Sequence, residues 1–114
     1  MTDIATRAEQ AKPEETRGLL EELILHPRYA GRVDPVIFGL LIGLDTPEAH
    51  LAAAMMLVPE GFSWSVIDRR TDPYCRPCAQ LWKAEQSSTK QGDAATPALA
   101  LIAAISKAIG GPHD

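Results

Sequence analysis

The chain has 114 residues, 46% of them hydrophobic and 23% charged, with a formal net charge of −4. That length sets a single domain able to bury about two thirds of its unfolded surface. The acidic balance excludes the broad basic footprint of a dedicated nucleic-acid binder, two cysteines make no disulfide framework, and the longest apolar run, residues 35–44, is far shorter than the ~18 residues a membrane helix needs.

No basic n-region followed by an apolar stretch opens the sequence at Met1-Thr2-Asp3, so the expected location is the cytoplasm. Residues 1–13 read as a polar stretch with an isolated Ile4 and are expected to be a flexible N-terminus. Residues 14–114 are expected to form a single α+β domain. Within it, residues 14–25 read as a helix. Pro13 suits a first helical position, Glu14 and Glu15 sit where the helix dipole favours negative charge, and Leu19, Leu20, Leu23 and Ile24 make an apolar stripe. His26-Pro27 ends it, because the residue before proline is pushed out of the α region. Residues 26–32 then read as a solvated loop.

Asp34-Pro35 opens a short apolar helix, 35–42, with Asp34 as N-cap and Gly43 as the stop. Gly39 and Gly43 have helix-packing spacing and are read as close packing plus a C-cap. Thr46-Pro47 repeats the start signal for a helix running to about Val58, with Leu51, Met55 and Val58 on one face and His50 on the surface. Residues 61–85 read as two strands around a long polar loop, and the domain is expected to be organised around them. Phe62, Trp64 and Val66 alternate with Ser63 and Ser65, the period of a half-buried strand. The second strand begins at Cys78, and its facing has two solutions: Ala79 with Leu81, or Trp82 with Ala84. Residues 86–95 read as a polar connection with Gly92-Asp93 as a turn. Thr96-Pro97 opens the last helix, with Ala98, Leu101, Ile102, Ile105 and Ile109 on one face and Lys107 opposite. Gly110-Gly111-Pro112 ends it. The resulting architecture is a small antiparallel hairpin packed with three to four helices, in the order αα-ββ-α.

Leu51-x-Ala53-Ala54-Met55-x-Leu57-Val58-Pro59-Glu60-Gly61-x-x-Trp64-Ser65-Val66, and Ala94-Ala95-Thr96-Pro97-Ala98-Leu99-Ala100-Leu101, resemble the phage ABA sandwich domain family of small phage and prophage proteins. The resemblance covers residues 45–110. It implies helices packed around a small sheet, and it carries no catalytic motif. The segment 72–78 departs from the family pattern.

Few constellations could carry chemistry. Cys75-Arg76-Pro77-Cys78 has the spacing of a redox or half-zinc motif. However, it precedes a strand rather than opening a helix, and zinc needs two further ligands. Both cysteines are read as inert. His50 stands near Asp45 and Glu48, which invites an acid–base reading, but no nucleophile elbow or Gly-rich phosphate loop accompanies it. The chain is therefore read as a non-enzyme without cofactor. The expected function is that of a phage-encoded interaction protein binding a protein partner, inhibitors of host defence systems being one such class. Its partner-binding residues would be Arg69, Arg70, Tyr74, Arg76 and Lys83, since arginine and aromatic side chains are enriched at binding hot spots. The alternative is a nucleic-acid-contacting accessory protein using the same arginine-rich segment, 69–83. A metal or redox role through Cys75 and Cys78 is the third reading.

Overall fold

The computed structural model describes residues 4–26, 29, 31–67, 76–83 and 89–110. The described elements are α1 (Ile4–Gln10), a 3-10 turn (Pro13–Glu15), α2 (Thr16–Leu23), α3 (Pro35–Leu44), α4 (Pro47–Met56), β1 (Ser63–Ile67), β2 (Cys78–Trp82), β3 (Thr89–Asp93) and α5 (Pro97–Gly110). The class is α+β, as expected. The helices enclose α5 and the antiparallel sheet, whose order is β1-β2-β3, lies against it.

The organising element is α5, not the strands. Every side chain from Ala98 to Ile105 is buried. The helix packs against α1, α2 and α4 as well as all three strands. A helix that is apolar on nearly every face is stabilised by enclosure on all sides, and here the rest of the chain supplies the enclosure. Its start follows the expected chemistry: the Thr96 hydroxyl oxygen accepts from Leu99 N at 3.2 Å. Leu101 and Ile105 are fully buried, whereas Ile109, Phe62, Trp64 and Val66 are only partly so.

The third strand was not legible as one. The segment expected as a polar connection contains β3, which pairs with β2 through Ala79 opposite Gly92 and Leu81 opposite Lys90. Thr-Lys-Gln-Gly-Asp has little strand propensity, so tertiary packing decides. Gly92 is the reason β3 can lie so close to α5. A Cβ at that position would come 2.4 Å from Ala100 O and 2.7 Å from Ala103 Cβ, so only glycine allows the approach. The facing of β2 resolves to the first solution: Ala79 and Leu81 are fully buried and Trp82 is only partly so.

The N-terminal segment also departs from expectation. Ile4–Gln10 is a helix with Ala5 and Ala8 buried, packed on α5. Small side chains, which carry little periodic signal, make that contact. A polar cluster completes it. Glu9 Oε2 accepts from Lys107 Nζ at 2.9 Å and from Asp93 N at 3.4 Å, and Lys107 Nζ also donates to Gln91 O at 2.7 Å. Lys107 is thus a tie between α1, β3 and α5 rather than a solvated residue on an outer face.

Four further expectations need correction. The α4 face is rotated: Ala49, Ala53, Ala54 and Leu57 are buried while Met55 is 42% exposed, because the alanines permit closer packing than the larger side chains. The helix ends at Met56, two residues early. His50 is buried rather than on the surface. The loop after α2 is anchored as well: Tyr29 is buried and its hydroxyl donates to Leu57 O at 2.5 Å, satisfying a carbonyl that the end of α4 leaves unpaired.

Candidate interaction surface

The third helix poses the question of function most sharply. Its start is well determined: Asp34 accepts from Val36 N at 2.9 Å and from Ile37 N at 3.3 Å, ahead of Pro35. Its last residue, Leu44, lies two residues beyond the expected last one, Ile42. Gly43 remains helical, and Asp45 takes the left-handed conformation with φ of 53°. Aspartate tolerates that region better than most side chains.

Between these caps the sequence Pro-Val-Ile-Phe-Gly-Leu-Leu-Ile-Gly-Leu holds no polar side chain. Yet only Phe38 and Ile42 are buried, in the shared core with α4 as the main neighbouring helix. Val36 is 68% exposed, Leu40 66%, Leu44 65% and Ile37 50%. Helical spacing sets Val36, Leu40 and Leu44 one above another, with Ile37 on one flank and Gly39 and Gly43 on the other. Neither glycine has any neighbouring atom within 4 Å of where a Cβ would stand. The close packing read into that pair is therefore not made within the monomer. Burying each of these large side chains the rest of the way is worth about 1–2 kcal/mol, and the monomer leaves that contribution unused.

Two of the expected partner-binding residues, Arg76 and Lys83, are among the described residues. Arg69, Arg70 and Tyr74 lie outside the described residues. Arg76 precedes β2 and donates from its guanidinium to Glu9 O. Lys83 follows β2 and stands 4.8 Å from the centroid of the Phe62 ring, a cation–π contact. A strand of that length separates the two by roughly 23 Å. Both cations already serve the fold: one holds α1, the other covers the entry to β1.

Two clefts are lined by described residues of the helices and the segments that join them. One, of about 310 Å³, is lined in part by Glu14, Asp45, His50 and Thr96. His50 Nε2 lies 2.9 Å from Asp45 Oδ1, close enough for an ion pair but angled away from a proper hydrogen bond. This contact ties α4 to the residue that ends α3. The cleft's hydroxyls are occupied in the local backbone: Thr16 donates to Pro13 O at 2.6 Å and Thr96 caps α5. The other cleft, of about 510 Å³, runs between Tyr29, Arg32 and Val33 on one side and Met56, Val58, Pro59 and Glu60 on the other. It opens beside the N-terminal end of α3. Cys78, at the first position of β2, is a buried thiol; Cys75 lies outside the described residues. No group of three or more metal-ligating side chains occurs among the described residues, and no helix there is long and apolar enough to cross a membrane.

Comparison with known proteins adds no further direction: no family model matches the chain, no curated protein matches it, and no solved structure matches its fold.

The exposed apolar face that sequence reasoning did not single out is that of α3. Its signal was present in the composition. A ten-residue helix without one polar side chain needs cover on every face, and only α5 has enough of the chain around it to be covered that way.

Proposed function

We propose that this protein is a non-catalytic interaction module that engages a protein partner through the outer face of α3. The observation that carries the reading is the exposure of Val36, Ile37, Leu40 and Leu44 on a helix that is well capped and firmly seated by Phe38 and Ile42. Contiguous apolar surface of this kind, rimmed by polar residues, marks contact sites on folded proteins. The rim here is Asp34, Asp45 and Glu48 with Arg32, all exposed.

The chemistry favours protein over lipid. Helices that lie on membrane surfaces carry Lys and Arg beside their apolar face, whereas this face is edged mainly by carboxylates on a chain of net charge −4. The resemblance to small phage proteins supports a phage or prophage setting, where proteins without catalytic machinery act by occupying the surface of another molecule.

Affinity capture tests the reading, using the wild-type chain and the Leu40→Asp variant side by side. A charge at the centre of the face removes its apolar continuity without touching the core. The expected result is a protein, a second copy of this chain included, that is retained by the wild type and lost by Leu40→Asp. Equal retention by both would place the contact elsewhere on the molecule.

A further inference from the structure

Resting on that reading of α3, we infer that the partner covering its outer face is a second copy of this chain, paired antiparallel about a two-fold axis beside Leu40. A two-fold contact presents the same patch from both copies, so the patch must complement itself. This face does. Val36 and Leu44 lie one turn to either side of Leu40 and are exposed to nearly the same degree, 68% and 65%. In an antiparallel pair centred on Leu40, Val36 of one copy meets Leu44 of the other. An antiparallel two-fold keeps each flank on its own side, so the Gly39 and Gly43 edges of the two copies face each other, as do the Ile37 edges. Gly39 and Gly43 are exposed and have nothing within 4 Å of their would-be Cβ, so the two glycine edges allow a close approach of the helix backbones. A parallel pair sets the Ile37 edge of each copy against the glycine edge of the other and brings no glycine edge to a glycine edge.

Charge points to the same arrangement. Arg32 is an exposed cation just ahead of the α3 cap. Antiparallel pairing carries it toward the C-terminal end of the other helix, where the last carbonyls bear partial negative charge and Asp45 adds a carboxylate. Asp34 remains bound to the amides of its own helix. Parallel pairing would instead bring Arg32 to Arg32 and Asp45 to Asp45.

The size of the face fixes the strength. It offers roughly 400–500 Å² of apolar surface per copy, comparable to the largest patch on a typical monomer. Two copies then bury on the order of 1,000 Å², at the weak and exchangeable end of specific interfaces. The dimer is expected to dissociate in the range of tens of micromolar, roughly −6 to −7 kcal/mol of association free energy.

Sedimentation equilibrium on the full chain, from about 5 to about 500 µM, tests this. The wild type should pass from monomer to dimer mass across that range. Leu40→Asp should remain monomeric throughout, with an unchanged circular dichroism spectrum. Gly43→Leu, which blocks the close approach of the two glycine edges at an exposed position, should weaken the dimer about tenfold or more while leaving the monomer folded. Arg17→Ala, on the outer side of α2, should behave as wild type. A wild-type chain that stays monomeric at the highest concentration overturns the self-pairing. If Leu40→Asp still loses a foreign protein in the capture experiment, the α3 reading survives that result; if capture is also unaffected, both fall. Dimerisation equally strong in Leu40→Asp, or growth beyond dimer mass, overturns the proposed two-fold pairing.

Discussion

Helices α3 and α5 are built alike and end up in opposite situations. Each starts with a capping side chain followed by proline, Asp34-Pro35 and Thr96-Pro97, and each continues as an almost unbroken apolar run. Around α5 the chain wraps α1, α2, α4 and the sheet, so its side chains from Ala98 to Ile105 are all buried. Around α3 it supplies mainly α4, and only Phe38 and Ile42 are enclosed. Composition alone therefore marks both helices for burial, and packing decides which is buried by its own chain. The apolar surface left over on α3 is what another molecule can use.

The comparison breaks most visibly in the core. Ile105→Ala on α5 should cost about 2–5 kcal/mol in denaturant unfolding, through lost burial and the cavity left behind. A cost below about half a kcal/mol would mean that α5 is not the enclosed helix. Gly92→Ala comes next, at about 1–3 kcal/mol, because the new methyl group collides with the α5 backbone and cannot be relieved by a side-chain rotation. Wild-type stability in that variant would show β3 standing further from α5 than described.

Smaller effects sharpen the account. Asp34→Ala removes the acceptor for two amides and should cost about 1 kcal/mol. Because α3 is seated on one side only, the loss should appear first as faster hydrogen exchange in its opening turn. Lys107→Met releases Glu9 and the carbonyl of Gln91, with an expected cost of about 1 kcal/mol or less, since the pair is partly exposed. The specific readout is amide protection at Ala8, which should fall while protection at Leu101 persists. Unchanged exchange at Ala8 would leave the packing of α1 to its alanines alone.

Where the sequence spoke through backbone chemistry, it was legible. The caps at Asp34, Thr46 and Thr96 act as their side chains dictate, with Thr46 accepting from Ala49 N at 3.1 Å, and the apolar stripe of Leu19, Leu20 and Leu23 lies inward. Strands β1 and β2 were visible through the alternation at Trp64 and Val66 and the run at Cys78. Packing carried by small residues escaped notice. Ala8 on α1, Ala53 and Ala54 on α4 and Gly92 on β3 are fully or nearly fully buried, yet none contributes a large hydrophobe to a periodic pattern. The candidate site was read from a different kind of signal. Arginine and aromatic content drew attention to residues 69–83, of which Arg76 and Lys83 are described and make contacts within the fold. Helix α3 was legible as a short apolar helix, and nothing local distinguishes an apolar face that the chain covers from one that it leaves open.

The unfolding free energy of Leu40→Asp, measured at a concentration where the chain is monomeric, tests the central claim most directly. The account predicts a value within about 0.5 kcal/mol of wild type, because the aspartate stands in water on a face the monomer does not enclose. A loss of several kcal/mol, as expected for burying an unpaired charge, would contradict it by making the outer face of α3 part of the core.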